Sequence, residues 1–293
     1  MFISRRDFLK FCGLSAGALG LNPSELKAIG EVLASPNAPI VIWLQGSGDN
    51  GCSISLLNRI AATAPKTVDE LITDTIALIF HPNIMAAAGS QAVEAVRSAS
   101  KYILVAEGAV PTIFDGKACT IWSENGEDVS YGDALSSLAP KAAAVISVGQ
   151  CACFGGIGAS GGNPTGLVSV SQFLGIPTIN IAGCPAHPDW VIGTVAQLLA
   201  GTEVPLDSYG RPISIYGSTV HDLCPRNGMT KATKFGEEGC LMDLGCRGPE
   251  TYANCPVTRW NNGVNWCVEA NALCTGCTNP DFPTAASFYY GGY

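Results

Sequence analysis

Five short apolar runs, each followed by a stretch with helical spacing, fill residues 39 to about 199, and this alternation restricts the chain to βαβ units around a mostly parallel sheet. The pattern predicts strands at 39–45, 76–80, 101–106, 143–148 and 177–181, with helices at 53–62, 90–99, 132–138, 167–174 and 188–200. The residues just past the strands are more informative than the strands themselves. The first strand leads into a glycine-rich loop with Asp49 and Cys52, and the third into Glu107-Gly108. The fourth leads into Gly149-Gln150-Cys151-Ala152-Cys153 and the fifth into Gly183-Cys184-Pro185. In a parallel sheet these loops gather at one edge, where open α/β sheets bind ligands. Thiols placed past three strand ends predict an iron–sulfur cluster there.

After Thr202 the periodicity fades, and seven cysteines fall in the 54 residues from Cys224 to Cys277. A segment with so little apolar periodicity cannot easily order itself and needs staples: disulfides, zinc or iron–sulfur clusters. Two donor groups stand out. His221-Asp222-Leu223-Cys224 with Cys240 and Cys246 offers one imidazole and three thiolates. Cys255, Cys267 and Cys274-Thr275-Gly276-Cys277 offer four thiolates closed by a C-x2-C pair. Zinc and iron–sulfur clusters both accept such sets. Proline after Cys184 and Cys255, and Trp266 beside Cys267, suit a dry electron-transferring cluster better than a zinc knuckle facing solvent. An exported structural protein stapled by zinc or disulfides is the alternative reading.

The N-terminus reads Ser4-Arg5-Arg6-Asp7-Phe8-Leu9-Lys10 before a weakly apolar stretch to Leu21, and it resembles a twin-arginine export signal. Val32-Leu33-Ala34 offers a cleavage site, so residues 1–34 read as the signal and the protein as periplasmic or otherwise extracytoplasmic. This route carries folded proteins. A cofactor can therefore be installed in the reducing cytoplasm first, which favours metal ligation over disulfides for most of the thirteen cysteines. No later run reaches the roughly 18 apolar residues of a spanning helix. A net charge of −8, with no Lys/Arg cluster beyond the N-terminus, excludes nucleic acid as a partner. An acidic surface suits a basic partner such as a lysine-rich cytochrome, and only 14% charged residues is consistent with a large subunit interface. Neither a Ser/His/Asp triad nor a P-loop is readable.

These motifs together resemble the small, electron-transferring subunit of NiFe hydrogenases, from the export signal to about Phe282: Trp43-Leu44-Gln45-Gly46 leading to Cys52-Ser53, Ala106-Glu107-Gly108, Val148-Gly149-Gln150-Cys151, Gly183-Cys184-Pro185 followed by His187-Pro188, and the two later donor groups. The resemblance implies a flavodoxin-like domain at 35–205 holding a proximal cluster and an irregular, cysteine-rich domain at 206–293 holding medial and distal clusters. Carried over, Cys52, Cys151 and Cys184 are proximal ligands. His221, Cys224, Cys240 and Cys246 are distal 4Fe–4S ligands, and Cys255, Cys274 and Cys277 are medial ligands. Many members have proline at the position of Cys267 and a 3Fe–4S medial cluster. The cysteine here implies 4Fe–4S, as in the selenium-containing subgroup, and hence three 4Fe–4S clusters. The resemblance also implies a heterodimer with a large subunit that holds the NiFe centre. Electrons then pass through this chain to cytochrome c or a membrane cytochrome, and the small subunit alone is inactive.

The departure is at Asp49, because the family pattern is C-x-x-C and this chain has D-x-x-C. A carboxylate can ligate iron, as in some oxygen-insensitive members, and the thiols of Cys119 and Cys153 compete for that role; a vacant or altered cluster is the third option. Glu107 matches a family acid near the proximal site and is read either as a proton-path residue or as a cap. His187 reads as a hydrogen-bonding support, His81-Pro82 as a turn, and Trp122 and Trp260 as core or interface aromatics. A subunit related to respiratory complex I is the rival of the same class. Its counterpart lacks the cysteine-rich C-terminal region, so the 221–277 ligand set argues against it.

Overall fold

The computed structural model describes residues 40–283 except 63, 64 and 75. The expected export signal, its expected cleavage site and Cys12 lie outside the described residues. In chain order the elements are β1 (Ile40–Gln45), α1 (Gly51–Leu57), α2 (Val68–Asp74), β2 (Ala77–Phe80), α3 (Ser90–Ser98), β3 (Tyr102–Glu107) and β4 (Val110–Pro111). The hairpin β5 (Thr120–Glu124) and β6 (Glu127–Ser130) follows, then α4 (Tyr131–Leu138), β7 (Ala142–Val148), α5 (Gly149–Phe154) and α6 (Gly156–Ala159). Next come β8 (Leu167–Val168), α7 (Val170–Leu174), β9 (Ile179–Ile181) and α8 (Pro188–Leu199). Beyond them only short helical turns remain: α9 (Ile213–Tyr216), α10 (Val220–Leu223) and α11 (Cys255–Thr258).

The five predicted strands form one parallel sheet in the order β2-β1-β3-β7-β9. This is the flavodoxin-like arrangement, whose strand order reverses between β1 and β3 and opens a crevice at their C-terminal ends. Buried on both faces, β1 and β3 are apolar almost throughout. Side chains alternate between two cores. Val41, Trp43, Ile103, Val105, Ile146 and Ile181 meet Trp190, Val191 and Val195 of α8. Ile42, Leu44, Leu104 and Ala106 meet Val96 of α3 and Ala134, Leu135 and Leu138 of α4. The first core does not stop at the sheet: it continues into Val220, Leu241, Ala253, Trp266 and Val268, so the cysteine-rich segment packs on the α8 face. Among the described residues no helix is long and apolar enough to cross a membrane.

Three differences from the sequence reading have local causes. The helix expected at 53–62 starts at Gly51 and ends at Leu57, where Arg59 turns inward and its Nε donates to Asp189 Oδ1 at 2.8 Å. The helix expected at 167–174 begins only at Val170, because Ser169 and Gln172 form a capping box and Leu167–Val168 pairs with β4 instead. The cysteines after the fourth strand lie on α5 rather than in an open loop. That helix starts at Gly149, whose φ of +85° is open to glycine, and stops at Gly155, φ +90°.

Candidate metal centres

The crevice between β1 and β3 is built around Glu107, the last residue of β3. Glu107 is buried and accepts from Trp43 Nε1 at 2.8 Å, from the backbone N–H of Cys52 at 3.1 Å and Ser53 at 3.0 Å, and from the Ser53 hydroxyl. It thereby caps the first turn of α1 and fixes the peptide that carries Cys52. His81, fully buried just past β2, extends the network. Asn83 N–H donates to its Nδ1 at 3.2 Å, which leaves Nε2 as the N–H facing Ser53 Oγ at 3.2 Å. Burial lowers His81 to about 4, so the imidazole is neutral. The turn expected at His81-Pro82 is present, since Ile84 and Met85 N–H both donate to His81 O. The side chain's part in the site left no signal in the sequence beyond a histidine at a strand end.

Around this base the predicted donors Cys52, Cys151 and Cys184 are electrostatic neighbours, and Asp49 neighbours Cys151 and Cys184. Burial pushes the Cys52 thiol well up, and Glu107, Cys151 and Cys184 push it further while the Ala186 N–H, 3.4 Å from its sulfur, pulls it down. Cys151 is raised to about 11 by burial, then by Asp49 and Glu107. Cys184 is raised to about 11 by burial, then by Cys151 and Asp49. Asp49 is thus an electrostatic neighbour of two of the three thiols, while its Oδ1 also accepts from Gly51 N–H at 2.9 Å. The fit is close: a Cβ on Gly149 would stand 2.4 Å from Cys52 Sγ, and one on Gly156 would stand 2.7 Å from Cys151 Sγ. Each rival thiol has a hydrogen bond of its own. Cys153 donates to Ser147 O at 3.3 Å and is buried on the opposite face of α5, although it remains an electrostatic neighbour of Cys52 and Cys151. Cys119 hydrogen-bonds Ser47 and neighbours the buried Tyr131.

The second group forms where α11 meets the loop closing the chain. Burial pushes Cys255 well up, with Cys277, Cys274 and Cys267 adding to it. Cys274 and Cys277 are both raised to about 12, chiefly by burial. Cys267 is exposed and neighbours Cys246. The third group sits at α10: burial raises Cys224, Cys246 and Cys240 add to it, and Arg226 N–H donates to its sulfur at 3.4 Å. A Cβ on Gly248 would lie 3.5 Å from both Cys246 Sγ and His221 N, so the third predicted cysteine stands beside the histidine backbone.

Desolvated thiols that raise one another cannot all ionise unaided; a cationic metal core held by them would supply the missing charge. The twelve described cysteines are all free of disulfides. Among the described residues no three Cys, His, Asp or Glu side chains converge as they would around a single ion. His187 behaves as the expected support: its Nδ1 accepts from Asp189 N–H at 3.1 Å, its Nε2 meets Arg259 O at 2.5 Å, and its ring lies 4.5 Å from that of Trp260. Trp122 packs edge-on against Phe80 in the second core.

Comparison with known proteins gives two family matches. Residues 216–290 match the C-terminal family of the NiFe/NiFeSe hydrogenase small subunit, and residues 50–198 match the NADH ubiquinone oxidoreductase 20 Kd subunit family. The chain is 41% identical to the periplasmic [NiFeSe] hydrogenase small subunit of Desulfomicrobium baculatum, over 99% of each. It is 37% identical to the hydrogenase-2 small chain of Escherichia coli, over 94% of this chain and 76% of that one. The solved [NiFeSe] hydrogenase of Desulfovibrio vulgaris Hildenborough contains a chain with TM-score 0.80 and 42% identity, covering 88% of this chain and 99% of that one.

Proposed function

The chain belongs to the family of NiFe and NiFeSe hydrogenase small subunits, and from that premise we propose that its three donor groups hold a proximal, a medial and a distal iron–sulfur cluster arranged as a wire. The protein is the electron-relaying subunit of a hydrogenase and works with a large subunit that holds the H2-activating centre. Asp49, Cys52, Cys151 and Cys184 are the proximal donors, Cys255, Cys267, Cys274 and Cys277 the medial, and His221, Cys224, Cys240 and Cys246 the distal. All three clusters are 4Fe–4S, and the division runs at 205/206. Such clusters supply one-electron carriage, with potentials set by charge, hydrogen bonding and exposure.

The observation that carries this reading is the adjacency of the groups. The medial Cys277 neighbours the proximal Cys184, and the medial Cys274 and Cys267 neighbour the distal Cys246. Arg247, next to Cys246, donates its N–H to Cys274 O at 2.8 Å. The chain's own residues orient the donors and exclude water: Glu107 fixes the Cys52 peptide, and the apolar core closes over Cys274. For the fourth proximal position, Asp49 is favoured over Cys153 and Cys119, because Asp49 neighbours Cys151 and Cys184 while Cys153 donates to Ser147 O and Cys119 hydrogen-bonds Ser47. We further propose export through the twin-arginine signal at 1–34, in line with the periplasmic relative, and delivery of electrons from the distal end to a cytochrome. Copurification with the large subunit tests the whole: about twelve iron and twelve sulfide per chain is expected, with nickel in the complex and H2-dependent dye reduction. A 3Fe signal in the intact oxidised protein overturns the medial assignment, and absence of nickel overturns the function.

A further inference from the structure

Cys184 and Cys277 are 93 residues apart in sequence, yet two bridges bracket them, one hydrogen-bonded and one completed by a cation–π contact. In the first, Gln150 N–H donates to Gly183 O at 2.8 Å, and the side-chain Nε2 of the same residue donates to Asn279 O at 2.5 Å and Phe282 O at 3.5 Å. In the second, Tyr216 OH donates to Ala182 O at 2.7 Å. The Tyr216 ring lies 5.0 Å from the Arg211 guanidinium, and Arg211 donates to Thr278 O at 3.0 Å. Arg211 is itself buried and pinned by Asp207 Oδ2 at 2.8 Å. Successive carbonyls just after Cys277 are thus tied to successive carbonyls just before Cys184.

Gln150 is 1% exposed, and its Oε1 has no hydrogen-bond partner among the described residues. Its orientation is nonetheless fixed, because the reversed amide would aim an oxygen at two carbonyl oxygens. An apolar residue of this size would be buried at less cost than a half-satisfied amide. The donated bonds are therefore the reason for a glutamine next to Cys151. We infer that Gln150, together with Arg211, is a positioning residue for electron transfer: it holds the medial cysteine turn against the proximal one and so sets the gap across which the electron moves. The inference rests on the ligand groups proposed above. Electron tunnelling falls exponentially with distance, so a small relaxation of this turn slows the relay while leaving hydrogen activation in the partner subunit untouched.

The test uses the intact two-subunit complex. In the wild type, reduced proximal and medial clusters should show mutual magnetic splitting by EPR; if no interacting pair exists, the ligand reading itself fails. Gln150→Met keeps the volume and the backbone N–H to Gly183 O but removes the side-chain amide that donates to Asn279 O and Phe282 O. It is expected to alter that splitting and to lower H2-dependent dye reduction by about tenfold or more, while D2/H+ exchange, which needs no electron exit, stays within about twofold. Gln150→Asn, an amide one methylene shorter, should fall between. Wild-type splitting and turnover in Gln150→Met at wild-type iron content overturn the inference. If that variant loses iron, Gln150→Asn and Arg211→Lys, which loosens the second bridge, are read by the same two measurements, and unchanged values in both overturn it equally.

Discussion

Replacing Glu107 with glutamine tests whether the crevice is organised by a carboxylate. One oxygen of Glu107 accepts from the Cys52 and Ser53 N–H groups, and the other from Trp43 Nε1 and the Ser53 hydroxyl. Whichever oxygen becomes an NH2 group, two donors then face a donor in a buried site. Each orphaned donor costs about 1–3 kcal/mol, so the variant should lose about 2–6 kcal/mol in total. For a chain of this size that corresponds to a fall in Tm of about 4–24 °C. The assay is thermal unfolding of the purified complex beside wild type, with the proximal EPR signal recorded on the same sample. Both should move, because the peptide bearing Cys52 hangs on the same carboxylate. A Tm within about 1 °C of wild type, with an unaltered proximal signal, would refute the view that this carboxylate holds the loop.

Asp49→Ala should change or abolish the proximal signal, and an unchanged spectrum removes Asp49 from the ligands. Gly149→Ala combines a Cβ 2.4 Å from Cys52 Sγ with a φ of +85°, a backbone strain of about 1–2 kcal/mol on its own; iron analysis should find the proximal cluster lost before the others. The buried, neutral His81 makes stability pH-dependent. Its folded value of about 4 lies below the unfolded 6.5, so the unfolded chain binds the proton first as pH falls, and up to about 3 kcal/mol is lost between pH 6.5 and 4. A denaturant series across that window should show a shallower pH slope in His81→Gln.

Much of the sheet was legible because β1, β3 and β7 are apolar on both faces and end in glycine, a pattern with few other solutions. The donor spacing was legible for the same reason, since a thiol just past a parallel strand has one edge to occupy. What escaped depends on contacts distant in sequence. The hairpin β5–β6 is half polar and the apolar pair β4–β8 is only two residues a side, so their register is set by neighbours rather than by pattern. Reading Cys151 and Cys153 as one loop set missed that helix α5 turns them to opposite sides, a step decided by Gly149 at its start. Gln150 could not be found at all, because its partners Asn279 and Phe282 lie 129 and 132 residues away.

The origin of the donors also bears on the order of assembly. The medial thiols span only 22 residues, Cys255 to Cys277, and the distal donors 25, His221 to Cys246, whereas the proximal thiols span 132, Cys52 to Cys184. Closing the longest of these loops costs about 1.6 kcal/mol more chain entropy than closing the shortest, and it requires β1, β7 and β9 to be in register first. On the proposed ligand groups, the C-terminal donors come from short local stretches, whereas the proximal set comes together only through the strands of the sheet.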